Sequence, residues 1–250
     1  MTMRRLLALL VTAAAALTVS VAGASAATSP SSNWAGYAVS AADPTAPVAY
    51  TSVSGTWVQP AASCSASPAA YSAFWVGLGG YSDTSQSLEQ IGTESDCTPG
   101  GSATYDVWYE LVPAASVPVK LKVFPGNTIS ANVTVNGQLV IVKLKDLTRK
   151  TSFTKRLFMA SPDVSSAEWI AEAPSTCTSS GDRCRTLPLA DFGTVAFTSA
   201  KALAAGHGGV IVDNAWAATA IELTAFTGAV PSDLAADGAS FTVTWAGRNS

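Results

Sequence analysis

Beyond its first 26 residues the chain places almost no apolar residues at helical spacing. Short runs in which apolar and polar positions alternate recur instead, divided by Gly, Pro, Asn and Ser, as half-buried strands require. Such runs fall at 53–58, 73–78, 105–112, 130–135, 139–144, 168–171 and 241–245. Asn136-Gly137 separates two of them and predicts a tight type I′ hairpin. About a dozen strands with turn signals between them predict an all-β chain, folded as a sandwich of two antiparallel sheets. No linker or shift of composition divides it.

The opening stretch differs. Arg4-Arg5, the apolar run 6–21 and Ala24-Ser25-Ala26 are the positive end, core and cleavage signature of an export signal, with an uncleaved anchor as the alternative. The expectation is a signal peptide at 1–26 and one sandwich domain at 27–250, secreted and extracellular. No later segment holds about 18 uninterrupted apolar residues, so no membrane association is expected once the signal is removed. Without Arg4 and Arg5, 12 of the 14 basic residues remain against 17 acidic ones, a net charge near −5. That balance argues against nucleic acid as a partner.

Cys64, Cys97, Cys177 and Cys184 all lie in the exported part, where an even number reads as disulfides. Cys177 and Cys184 bracket a Gly/Ser-rich loop, which favours their pairing among the three connectivities. Cys64 is then left with Cys97, in a bridge that closes the segment carrying Gln90. A zinc site is the alternative, but the chain has one histidine and no C-x-x-C. A structural calcium ion stays open.

Strand side chains alternate, so residues two apart share a face. Asp106, Trp108 and Glu110 form one such row, Gln90, Gly92 and Glu94 a second, and Glu168, Ile170 and Glu172 a third. If these strands are neighbours, one face carries a glutamine, several carboxylates and a tryptophan. Alternation alone also fits an ordinary polar outer face. Eight of the 12 remaining basic residues fall between Lys120 and Arg156, as on a sheet edge that lysines protect from strand-to-strand aggregation.

Six segments, in order, carry a resemblance: Ser32-Asn33-Trp34-Ala35-Gly36-Tyr37, Val53-Ser54-Gly55-Thr56-Trp57-Val58-Gln59-Pro60, Phe74-Trp75-Val76-Gly77 followed by Leu88-Glu89-Gln90-Ile91-Gly92, Tyr105-Asp106-Val107-Trp108-Tyr109-Glu110, Ala167-Glu168-Trp169-Ile170-Ala171-Glu172, and Ala190-Asp191-Phe192-Gly193-Thr194. With a closing hairpin within 221–245, the set resembles the eqolisins, the pepstatin-insensitive glutamic peptidases, over nearly all of the mature chain. The resemblance implies a concanavalin-like sandwich with its site on a concave face, polypeptide substrates, no cofactor, no metal and a monomer. It implies catalysis by Gln90 and Glu168, with Trp75 and Trp108 as substrate walls and Asp106, Glu110 and Glu94 as supporting carboxyls. The other tryptophans, Trp34, Trp57, Trp169, Trp216 and Trp245, are expected in the core.

Two departures stand out. Gly79 or Gly80 stands where fungal members have an Asp, and Glu94 replaces an Asp. The short span from Ala27 to Ser32 leaves no room for the long propeptide of the fungal enzymes, so that form of autoinhibition is not expected.

In this reading Glu168 takes a proton from water and returns it to the leaving amine, while Gln90 holds the water and donates to the oxyanion. An amide does not titrate, which suits acid conditions. His207, in a Gly-rich stretch, reads as a loop residue. The rivals are a lectin-like or wall-binding module, or a glycoside hydrolase acting on polysaccharide. For the latter, Asp106/Glu110 and Glu168/Glu172 lie about 13 Å apart along their strands, too far for a glycosidase pair. An aspartic peptidase needs a second loop like Asp83-Thr84-Ser85, and a serine hydrolase a G-x-S-x-G; neither occurs.

Overall fold

Alternation becomes strands almost everywhere it was read. A computed structural model describes residues 26–66, 68–177, 184–225 and 227–248, among which there is no α-helix. The export signal expected at 1–26 lies, but for Ala26, outside the described residues. Along the chain the strands are β1 (Ala27–Ser31), β2 (Trp34–Ser40), β3 (Tyr50–Val58), β4 (Ala73–Gly79), β5 (Leu88–Cys97), β6 (Ala103–Val112), β7 (Val117–Val119), β8 (Thr128–Asn136) and β9 (Leu139–Asp146). They continue as β10 (Thr151–Phe158), β11 (Ser166–Glu172), β12 (Ser175–Cys177), β13 (Cys184–Thr186), β14 (Thr194–Ala204), β15 (His207–Val210), β16 (Ala217–Leu223), β17 (Thr227–Pro231) and β18 (Phe241–Arg248).

The front layer runs β16-β2-β11-β4-β5-β6-β7 and the back layer β10-β9-β8-β3-β14-β18, with β17 carrying the hydrogen-bonded path from one to the other. Pairing is antiparallel throughout these layers; β1 joins β16 in parallel. The sandwich fills with the inward sets, such as Ile129, Ala131, Val133 and Val135 of β8 against Phe74, Val76 and Leu78 of β4. Two buried indoles fasten the layers: Trp57 Nε1 donates to Thr93 Oγ1 (3.0 Å) and Trp169 Nε1 to the Ser54 carbonyl (2.7 Å). Each bond satisfies an N–H that burial would otherwise penalise.

The β8–β9 hairpin departs from expectation by one residue. Asn136 pairs with Leu139, so the loop is Gly137-Gln138, and only Gly137 has positive φ (58°). Glycine alone at the first loop position is the type II′ pattern rather than I′. Both expected disulfides form, Cys64–Cys97 and Cys177–Cys184, the second joining β12 to β13.

Strands β4 and β11 are buried on both faces, which explains the near-continuous apolar sequence of β4; β11 carries Glu168 and Glu172 on the face away from the core. On the face away from the core, Ala38, Trp75 and Ile170 are 0% exposed. The front layer's outer face is therefore recessed, with an apolar floor.

Candidate active site

The three rows read from the sequence do lie side by side, with β4 between β11 and β5. Register places Glu168, Gly77, Gln90 and Glu110 in one lateral row, then Ile170, Trp75, Gly92 and Trp108, then Glu172, Ala73, Glu94 and Asp106. Two glycines keep the floor low. A Cβ on Gly92 would stand 2.4 Å from the Phe74 carbonyl oxygen and 2.6 Å from Trp75 Cβ. Gly92→Ala should accordingly cost about 1–3 kcal/mol through overpacking against backbone, measured by chemical denaturation; an unchanged midpoint would contradict this packing.

Gln90 Nε2 donates to Glu110 Oε2 at 2.7 Å, while Gln90 Oε1 is buried without a hydrogen-bond partner. Glu172, at the end of β11, accepts from Trp75 Nε1 (2.7 Å) and Asn33 Nδ2 (3.0 Å). Its carboxyl is pushed up to about 7 by burial and by the charge of Glu110, against the pull of those donors. Burial also raises Glu110, opposed by the Gln90 bond. Glu110 thus touches Gln90 and lies within electrostatic reach of Glu172, joining the two in one cluster. Trp34 packs edge-on against Trp75 with ring centroids 5.0 Å apart. It belongs to this face rather than the core, contrary to expectation; Trp57, Trp169 and Trp216 are core residues, and Trp245 packs partly buried against it.

Glu168 shares the lateral row of Gln90 but is sealed within the floor. It is 0% exposed, and neither carboxylate oxygen has a hydrogen-bond partner. Its small row neighbours Ala38 and Gly77 let the floor close over it. Burial drives its pKa well above the ordinary carboxylate range, and the charges acting on it are those of Asp163 and Glu89, not Glu110. Glu89 is equally buried and pushed up to about 8. Two carboxyl sets are thus distinguished: Glu110 and Glu172, partly exposed beside the buried Gln90, and the fully buried Glu168 and Glu89.

At the far end of the rows, Glu94 and the exposed Asp106 face each other across β5 and β6, beside Asp96. Burial and neighbouring charge raise Glu94 to about 7, and burial raises Asp96 to about 6. Trp108 is buried with its Nε1 unpartnered. Gly79, where the resemblance suggested a missing Asp, is filled from another strand connection. Asp163 sits where a Gly79 Cβ would point, and accepts from Gly80 N and Ser85 Oγ. His207 opens the short strand β15, exposed, and pairs with Asp213 at 3.0 Å.

A model of the Peptidase A4 family matches residues 32–245. The chain belongs to the Peptidase A4 family. It is a glutamic endopeptidase, as the eqolisin resemblance over 33–245 implied. Among solved structures, scytalido-glutamic peptidase bound to a peptide-based transition-state analogue is 26% identical, with a TM-score of 0.67 over 86% of this chain and 98% of that one. Aspergilloglutamic peptidase from Aspergillus niger is 25% identical, with a TM-score of 0.58 over 70% and 99%. The eqolisin SCP-B, in complex with the tripeptide Ala-Ile-His, is 24% identical with a TM-score of 0.64, and shares the fold. A comparison with curated protein sequences finds no match.

Proposed function

We propose that this A4-family peptidase is secreted, works in acid, and divides peptide hydrolysis between Gln90 and Glu172. The observation that carries the reading is the cluster in which Glu110 bonds Gln90 and electrostatically couples to Glu172, while Glu168 is sealed in the floor. The resemblance pointed to Glu168; burial and hydrogen bonding favour its neighbour four residues on. A base must reach the proton that it removes, and Glu172 is the partly exposed member of the two. The peptide-like ligands of scytalido-glutamic peptidase and SCP-B support polypeptide substrates.

In this mechanism the free Gln90 Oε1 holds the attacking water, and Glu172, as carboxylate, takes one of its protons. The water oxygen bonds to the scissile carbonyl carbon, and the carbonyl electron pair moves to oxygen. The second N–H of Gln90 Nε2, not used by Glu110, donates to that oxyanion. Glu172 then passes its proton to the amide nitrogen as the C–N bond breaks, restoring the carboxylate. Trp108, 8% exposed, borders the bound chain, whereas Trp75, expected as a substrate wall, is 0% exposed and instead positions Glu172 through its Nε1 bond.

Glu172 and Glu110 titrate as a pair. When the pair holds one proton, the charge of Glu110 favours its lying on Glu172; the reactive form is the minor one, with the proton on Glu110 and the charge on Glu172. Loss of that last proton, toward pH 7, adds a second negative charge beside the oxyanion and ends activity; full protonation at low pH removes the base. Hydrolysis of a denatured protein, followed from about pH 2 to 8 with pepstatin present, should give a bell on the acid side of neutrality. Activity that keeps rising above pH 7, or that pepstatin abolishes, would contradict the mechanism. Gln90→Ala should lower kcat by about 10²–10³-fold, the usual loss for an oxyanion donor.

A further inference from the structure

The basic residues at 120–156 do more than guard one edge. Lys120 and Lys122 follow β7, the end strand of the front layer, whereas Arg149 and Lys155 come from the β9–β10 turn and β10, the end strand of the back layer. All four border one groove of about 610 Å³ between the two sheet edges, which no acidic residue lines. Among the described residues no lysine or arginine makes an ion pair; Arg149 lies over the Phe124 ring at 4.7 Å, and the three lysines have no opposite charge from the protein. The groove wall is apolar: Tyr109 and Phe153 stack across it, with centroids 5.9 Å apart and planes at 17°.

We propose that this groove is an exosite that binds acidic, extended segments of polypeptide substrates. The proposal rests on the peptidase reading above. Charge complementarity selects an anionic partner, in a chain whose net charge is otherwise negative. The backbone selects a polypeptide over a polysaccharide. Among the described residues β7 pairs only with β6, and β10 only with β9, so each wall of the groove ends in a strand edge with no described partner strand. β7 is short and its Pro118 offers no N–H, so the eight-residue β10 is the edge an added strand can bond while its side chains alternate, apolar ones into the groove and carboxylates toward the cations. β6 links the two regions: Tyr109 faces the groove side, and its neighbours Trp108 and Glu110 face the catalytic floor. A substrate crossing the β7 edge can therefore occupy both.

The test uses Glu172→Gln protein and a labelled peptide of about twelve alternating Glu and Leu residues, with a Gln-for-Glu counterpart, in anisotropy titrations near pH 6. The acidic peptide should bind at least about tenfold more tightly. Lys120→Ser, Lys122→Ser and Lys155→Ser together should erase that preference, as should about 0.5 M salt. These three positions are exposed, so the fold should survive their replacement. Equal binding of the two peptides, a preference that survives the triple variant, or a sulfated polysaccharide that binds where the acidic peptide does not, would each overturn the exosite. This arm needs no turnover. Its failure leaves the peptidase reading standing, whereas failure of wild-type protein to hydrolyse any peptide overturns that reading without touching the binding result.

Discussion

Glu172→Gln should lower kcat on peptide substrates by about 10²–10⁴-fold, the usual contribution of a positioned acid–base group, and leave KM nearly unchanged. The glutamine keeps the shape of the side chain and still accepts one bond from Trp75 or Asn33, so the floor holds its form. What is lost is the group that receives a proton from water and returns it to the amine. The proper comparison is Glu168→Gln. That residue is sealed beneath the floor and is coupled to Glu89 and Asp163 rather than to Glu110. Its replacement should therefore change kcat in acid by less than about threefold, within the modest range expected when only packing is touched. Thermal unfolding at the assay pH separates loss of chemistry from loss of fold.

The second large effect is on stability. Glu89 holds its proton in the folded protein up to about pH 8, against an ordinary value of 4.5, and Glu168 is shifted in the same direction by the same burial. A carboxyl whose folded pKa is raised binds its proton more tightly in the folded state. Its contribution is full below about pH 4.5 and is lost progressively as pH rises toward 8. For Glu89 alone the loss approaches about 5 kcal/mol, comparable with the whole stability of many domains. Asp163 has the opposite sign, lowered by bonds from Ser85, Ser165 and Gly80, so it weakens the fold only at lower pH and offsets nothing here. Wild-type protein should thus lose denaturant resistance steeply from about pH 5 to 8. Glu168→Gln, which removes one titrating group while Ser166 Oγ and Tyr50 Oη remain as unpartnered acceptors nearby, should flatten that slope and raise the midpoint at pH 7–8. Denaturant titrations at intervals along that range measure it; parallel curves for the two proteins would show that Glu168 does not titrate with unfolding.

Alternation was enough to find the strands around the site, because Gln90/Gly92/Glu94 and Asp106/Trp108/Glu110 each report a face directly. That the rows share one face it left conditional on the strands being neighbours, which the pairing of β4 with β11 and β5, and of β5 with β6, supplies. What it could not rank was Glu168 against Glu172, since both lie on that face four residues apart. The difference arises from what each meets across the strands: Ala38 and Gly77 let the floor close over one, while the other ends β11 beside Asn33 and Trp75. The same limit explains Trp34. Its aromatic character reads as core, and only the pairing of β2 with β11 places it against Trp75. Asp163 lies in the connection that follows β10 and reaches the position of Gly79 through a loop conformation that no periodicity encodes.

Which glutamate meets the substrate decides the mechanism. The most direct measurement is kcat/KM for pepstatin-resistant cleavage of one peptide at about pH 4 by wild type, Glu168→Gln and Glu172→Gln, each shown to be folded. The predicted result is near-wild-type cleavage by Glu168→Gln and a loss of about 10²-fold or more in Glu172→Gln. Cleavage retained by Glu172→Gln and abolished in folded Glu168→Gln would contradict the dyad and return the base to the sealed residue.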